Sequence, residues 1–410
     1  MNRNLREHAD QIIREAICAV QPDAAVRRAL DGQEYPGRVL LVAAGKAAWQ
    51  MAKAASDFMG DRIEKGVVVT KYDHVMGPIA NFSCFEAGHP VPDENSFKGT
   101  QAALDLVSGL TGKDTVLFLL SGGGSALFEK PLVPAEELQD ITGQLLACGA
   151  DIVEINTIRK RLSQVKGGRF AQLCQPARVE AVILSDILGD PLDMIASGPA
   201  CPDTATAEDA QRVAAKYNLK LSDQARQLLA VETPKALDNV NTQINGSVRE
   251  LCAAAAVTCR RLGYEPIMLT DQLCCQAKEA GSFLASILKT HAADGRALAF
   301  IAGGETVVKL TGHGKGGRNQ ELALAAAPGI AGMNAAVFSV GSDGTDGPTD
   351  AAGGYVDGET CAELKALGIA VDDVLQDNDA YNALKQVGGL VMTGPTGTNV
   401  NDVAVALLQG

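Results

Sequence analysis

Four apolar runs in this chain each end at a small or polar turn. Residues 39–44 lead into Gly45-Lys46, and residues 114–120 into Ser121-Gly122-Gly123-Gly124-Ser125. Residues 178–184 lead into Ser185-Asp186, and residues 335–340 into Gly341-Ser342-Asp343. Short continuous apolar runs are the pattern of strands buried on both faces, and such strands belong to parallel sheets covered by helices. Helical periodicity over 5–20, 47–59, 93–110, 151–168, 207–217, 221–230, 247–262 and 276–289 supplies the covering layers. The fold class is therefore α/β. Ligands of such sheets sit at the carboxyl ends of the strands, which directs attention to the four turns.

A chain of 410 residues is long enough for two or three domains with sizeable cores. The polar stretch that begins at Asp238 divides it into 1–238 and 239–410. The formal net charge of −13 disfavours nonspecific binding to nucleic acid or to an anionic membrane, so an anionic substrate must meet a local cluster of cations. Ten cysteines without a C-x-x-C pair read as reduced thiols, not as a disulfide framework or a zinc site. Residues 1–10 are polar, unlike a signal peptide, and no apolar run reaches the ~18 residues of a membrane span. These features place the chain in the cytoplasm.

Each turn carries its own chemistry. Lys46 puts a cation at the end of a buried strand, although Leu40 and Ala47 depart from the P-loop pattern; a plain helix-starting lysine is the alternative. Ser121, Gly122, Gly123, Gly124 and Ser125 offer bare amides and hydroxyls to a phosphate or carboxylate. The densest basic run follows at 156–168, where Arg159 and Lys166 are candidates to face the anion. Asp186 is a candidate Mg²⁺ ligand or general base. The loop holding Asp343, Asp346 and Asp350 either faces a metal or caps its own turns. His89, set in a turn-rich connection, reads as structural.

Residues 303–321 concentrate further anion-binding groups: glycines, His313, Lys315, Arg318 and a helix start at Asn319. Gly316 and Gly317 let backbone amides approach an anion, and Arg318 offers a fixed fork for phosphate oxygens. Residues 298–302 and 306–310 read as the two arms of a β-hairpin. Gly312, Gly314 and Gly317 match G-x-G-x-x-G, but a dinucleotide fingerprint follows the first buried strand of a βαβ unit, so the match reads as accidental.

The stretches AAGKAA (43–48), GHPVPDE (88–94), LLSGGGSAL (119–127), NTIRKRLSQVKGGR (156–169), SDILGDP (185–191), ASGPACPD (196–203), GGETVVKLTGHGKGGRNQE (303–321), SDGTDGPTDAAG (342–353) and TGPTGTNVNDV (393–403) together resemble the glycerate 2-kinase family, whose C-terminal half is called MOFRL. The resemblance implies a Rossmann-like N-terminal domain, a distinct α/β C-terminal domain and an active site in the cleft between them. It implies ATP-dependent phosphorylation of D-glycerate at the 2-hydroxyl with Mg²⁺. Lys46 and Arg318 match the family's catalytic lysine and arginine. The expected nucleotide or phosphate site is Ser121–Ser125 with Gly316 and Gly317, the substrate site Arg159, Lys166 and Asn319, and the metal site Asp186 and Asp343. At Ile187-Leu188-Gly189-Asp190-Pro191 a proline before the glycine is missing, which weakens a metal role for Asp190 more than for Asp186. Expected partners are glycerate and ATP, with neither nucleic acid nor membrane, and a homo-oligomer is left open. Some relatives carry the label hydroxypyruvate reductase. An NAD(P)-linked enzyme of that kind, using the 312–317 glycines and Asp343, is the alternative activity; a non-catalytic sensor of sugar-acid phosphates is a third reading.

Overall fold

The computed structural model describes residues 1–410. The chain divides into two units, one of Ala25–Asn245 and one of Met1–Ala24 with Gly246–Gly410.

The first unit is built on β1 (Val39–Ala44), β2 (Ile63–Lys71), β3 (Phe82–Ala87), β4 (Thr115–Leu120), β5 (Arg178–Leu184) and β6 (Val240–Gly246). Their order is β3-β2-β1-β4-β5-β6, and the pairings among β1 to β5 are parallel. Every residue of β1 and β4 is buried. Alternate side chains feed two cores: Leu40, Val42, Phe118 and Leu120 point to one, Val39, Leu41, Leu117 and Leu119 to the other. The helix Glu94–Leu106 covers the first core through Ala103 and Leu104, and Ala48–Met59 covers the second through Met51, Ala52 and Ala55. This is the Rossmann-like sheet that the family resemblance implies, and its unbroken apolar runs are the doubly buried strands expected of them. Strand order reverses between β1 and β4, so their carboxyl ends flank a topological switch point, the ligand position of such sheets.

The second unit contains β7 (Glu265–Leu273), β8 (Leu298–Gly304), β9 (Ala335–Gly341), β10 (Gly353–Asp357), β11 (Leu390–Val391) and β12 (Asp402–Leu408). The order is β11-β10-β9-β12-β8-β7, antiparallel except for the parallel pair β7 and β8. The last strand of the chain thus lies inside the sheet, with Asp402 opposite both Gly304 and Gly341.

Two expectations change. The boundary at 238/239 does not hold, because the polar residues 240–246 form the edge strand β6. Its partial exposure along most of its length reflects an edge position, and Asn241 Nδ2 donates to Glu180 Oε2 of β5 at 2.7 Å. The hairpin over 298–310 is also absent. β8 pairs with β7 and β12, and residues 306–310 leave the sheet after a single parallel bridge from Val307 to Gln276.

The opening helix belongs to the second unit. Its apolar face (Leu5, Ala9, Ile12, Ile13, Ala16, Ile17) is buried as its periodicity predicts. His8 Nδ1 lies 2.9 Å from the Tyr264 hydroxyl, Thr258 Oγ1 donates to Glu15 Oε2 at 2.8 Å, and Arg6 donates to the carbonyls of Gly388 and Leu390 at 3.0 Å. The first residues of the chain therefore help complete a unit formed mostly by its last 165. No helix is long and apolar enough to cross a membrane. Ile12→Ala is expected to cost about 2–5 kcal/mol through the cavity left in this face. Urea unfolding followed by a probe in the second unit measures it; an unshifted midpoint would detach the helix from that unit.

Candidate active site

At the switch point, β1 is followed by Gly45 and β4 by Ser121. The Lys46 amide donates to the Gly122 carbonyl at 2.8 Å, and the Ala47 amide donates to Ser121 Oγ at 3.0 Å. The approach is too close for side chains: a Cβ on Gly45 would lie 2.3 Å from Ser121 Oγ. Gly123 has φ +85°, and a Cβ there would lie 3.1 Å from Lys46 Cγ and 3.2 Å from His89 Nε2. One on Gly122 would lie 2.2 Å from Asp186 Oδ2. Lys46, His89 and Asp186, from the ends of three different strands, therefore converge on one glycine loop, with Lys46 half-buried.

Side chains behind the loop hold it in place through hydrogen bonds to Ser125. Ser125 Oγ lies 3.3 Å from Ser197 Oγ, which donates to Asn156 Oδ1 at 2.9 Å. Ala196 and Ser197 are non-glycine residues at positive φ, +50° and +62°, a strained backbone that its buried setting enforces. Arg159 Nη2 and Lys166 Nζ both donate to the Ser125 carbonyl, at 3.1 and 2.9 Å. Arg159 stays partly exposed, but Lys166 is fully buried, with a further bond to the Phe128 carbonyl at 3.0 Å and Glu129 at 3.4 Å. Burial pulls its ammonium down to about 8, against the pull of Glu129. Lys166 is thus a buried support of the glycine loop and not a substrate contact, because its donors are committed to the protein. Lys160 and Arg161 likewise turn inward, onto Asp203.

In the second unit, Arg318 forms a fork on Asp402 (Nε to Oδ2 2.5 Å, Nη2 to Oδ1 3.0 Å) and reaches Glu305 Oε1 at 2.8 Å. Burial opposes its charge, but Asp402 and Glu305 more than offset that, and its pKa is raised. The rest of the expected phosphate cradle is occupied by the chain itself. The amides of Asn319 and Gln320, at the start of the helix Arg318–Ala326, donate to the Asp346 carboxylate at 3.1 and 2.9 Å. A Cβ on Gly317 would lie 2.3 Å from Asp346 Cγ, and one on Gly316 3.3 Å from the Ala380 amide. Gly316 and Gly317 therefore pack against protein atoms on the side where a side chain would stand. Asn319 is buried, accepting from Ser339 Oγ at 2.5 Å, and is corrected as a substrate ligand. Gly312 and Gly314 would clash through a Cβ with Asp377 and Asp379, which accounts for the accidental fingerprint. His313 is exposed, and Lys315 lies 4.4 Å over the Tyr381 ring. Asp343 Oδ1 accepts from the Thr345 amide at 2.9 Å, the turn-capping role.

Residues 8–230 match a domain family described as of unknown function (DUF4147), and residues 298–402 match the MOFRL family. The chain is 53% identical to a D-glycerate 2-kinase of Thermotoga maritima, with 99% of each chain covered. The chain belongs to the glycerate 2-kinase family. A glycerate 2-kinase of Pyrococcus horikoshii is 41% identical, with 99% of this chain and 98% of that protein covered. A crystal structure of glycerate kinase from Thermotoga maritima superposes with a TM-score of 0.95 at 52% identity, covering 99% of this chain and all of that one. A relative at 37% identity, from Agrobacterium vitis, is named as a hydroxypyruvate reductase, with 98% of this chain and 94% of that protein covered.

Within this glycerate 2-kinase fold, the carboxylate that the sequence least distinguishes is Asp346. Burial, and secondarily the nearby Asp402 charge, push it up to about 7 from an ordinary 3.8, although the two helix amides pull the other way. Between 3.8 and 7 the folded chain keeps a proton that the unfolded chain has released, so stability falls as pH rises through that window. Asp346→Asn is expected to remove this slope. Urea midpoints measured across the window in both proteins test it, and parallel curves would show that Asp346 titrates normally.

Proposed function

We propose that the chain transfers the γ-phosphoryl group of ATP to the 2-hydroxyl of D-glycerate, giving 2-phosphoglycerate. One observation carries the reading: a half-buried lysine, Lys46, stands over a side-chain-free loop at the switch point of a parallel sheet. Phosphoryl transfer asks a protein mainly for positioning and charge neutralisation. Lys46 supplies the cation, and Gly122, Gly123 and Gly124 supply the close approach that a phosphate or carboxylate needs. Ser121 and Ser125 fix the loop through the Ala47 amide and Ser197.

Arg318 is the second cation of the proposal. Three of its five N–H groups are committed to Asp402 and Glu305, which leaves two for a phosphoryl oxygen and holds the guanidinium in one orientation. Arg159, also partly exposed, is retained as a substrate contact. Mg²⁺ usually binds through one or two carboxylates together with nucleotide phosphates, where it neutralises charge. No three His, Cys, Asp or Glu side chains gather into a cage of their own, so the donor set fits an ion carried by the nucleotide. Asp186, against the glycine loop, is the carboxylate best suited to it, and Asp343 retains Oδ2 for such a contact. The proposed setting is the cytoplasm, in keeping with ten unpaired cysteines. The reductase reading loses its support, because the glycines it needs pack against Asp377 and Asp379.

Incubation with ATP, Mg²⁺ and D-glycerate is expected to yield ADP and 2-phosphoglycerate; 3-phosphoglycerate, or no ADP above background, would refute the assignment. Lys46→Ala and Arg318→Lys are each expected to lower kcat/KM by about 10²–10³-fold without loss of fold. Lysine at 318 keeps the charge beside Asp402 and removes only the fork, which makes it more informative than alanine. Steady-state kinetics at parent levels in either variant would take that residue out of the mechanism.

A further inference from the structure

Of the five histidines, His8, His74 and His291 each have a ring nitrogen within hydrogen-bond distance of a protein group, and His313 stands exposed on its loop. His89 differs from all of these. It is half-buried, its ring meets no protein hydrogen-bond partner, and it lies over Gly123 beside Lys46. Its placement is built in by the chain. The turn after β3 is closed by Asp93, which caps the helix Glu94–Leu106 through the amides of Asn95 and Ser96 at 3.0 Å and accepts from Tyr72 at 2.7 Å. A half-buried polar ring on so well anchored a turn, with its nitrogens left unpaired, is suited to a ligand.

The geometry points to a catalytic role: we propose that His89 Nε2 accepts the proton of the glycerate 2-hydroxyl while Lys46 holds the adjacent carboxylate. This rests on the kinase reading above. A Cβ on Gly123 would meet the imidazole edge of His89 (Cδ2 at 3.0 Å, Nε2 at 3.2 Å) and the Lys46 side-chain stem (Cγ at 3.1 Å), so the two side chains are neighbours over the same glycine. In a 2-hydroxy acid the carboxylate and the 2-hydroxyl are on neighbouring carbons, so adjacent partners match them, whereas the 3-hydroxyl is one carbon further away. In the step, the 2-oxygen forms its bond to the γ-phosphorus. The bond from that phosphorus to the β-phosphate oxygen breaks, its electron pair leaves with ADP, and the hydroxyl proton passes to Nε2 and then to solvent. Burial, followed by the Lys46 and Lys71 cations, lowers the histidine's pKa and keeps the ring unprotonated at neutral pH, as a base requires. The other charged group at the loop is Asp186, across Gly122.

The test compares full-length parent, His89→Gln and His89→Asn with ATP, Mg²⁺ and D-glycerate as a function of pH. The parent is expected to show an acidic limb in kcat/KM below the ordinary histidine value of about 6.5. Both variants are expected to lose about 10²–10⁴-fold in kcat, with KM for ATP unchanged and the limb gone. A parent profile without the limb, or a variant that keeps either the parent kcat or the limb, overturns the proposal; a limb retained at reduced kcat marks a structural histidine. The parent profile needs no variant to fold. A parent that makes no phosphoglycerate refutes the kinase reading and this inference together, whereas an active parent with equally active variants refutes only the role of His89.

Discussion

The first unit depends on two backbones meeting where a side chain would prevent it. The hydrogen bond from the Lys46 amide to the Gly122 carbonyl joins the turns after β1 and β4, and it is possible because Gly45, Gly122 and Gly123 have no Cβ. Parallel sheets leave a crevice where strand order reverses, but a crevice does not by itself bring chemistry together. Here the close approach does so, by setting Lys46, His89 and Asp186 around the same three glycines. Each belongs to a different strand end, so none needs a long flexible reach.

The supporting layer is charged and buried, an arrangement that costs desolvation unless every charge is paired or hydrogen-bonded. Lys166 is satisfied by two carbonyls and Glu129, and Lys160 with Arg161 by Asp203. Lys166 holds the carbonyl side of the glycine loop, and Asn156 with the Gly167 amide holds the strained Ala196-Ser197 turn, which fills the space beside Gly124. The basic run of the helix Ile152–Arg161 and the turn after it therefore acts mainly on the protein's own carbonyls and carboxylates.

In the second unit the same physics has another outcome. A helix N-terminus that attracts anions has received Asp346, and the guanidinium of Arg318 has received Asp402 and Glu305. Glycine-rich basic sequence indicates that backbone amides and cations are available without indicating what occupies them. Gly317 looks the same in sequence whether it faces a phosphate or a carboxylate supplied by residue 346.

Much of the architecture was legible from local pattern. The apolar runs 39–44, 114–120 and 178–184 announce strands buried on both faces, and 3.6-residue periodicity marks helices such as Arg3–Ala19 with their buried faces. Both signals follow from short-range geometry and burial. Lys46 with the triple glycine was legible too, since its position after a buried strand follows from the order of residues. Other features were decided only by tertiary structure, because they depend on partners far away in sequence. The polar run 240–246 is a strand because β5 lies beside it, and the first helix completes a unit made mostly of the last 165 residues. Lys166 is buried while Arg159 keeps an exposed side, and His89 meets Lys46 across a glycine more than 30 residues from it in sequence. Hydrophobic periodicity specifies which face is buried; close packing between remote segments specifies which polar groups are left with partners and which are left for a ligand.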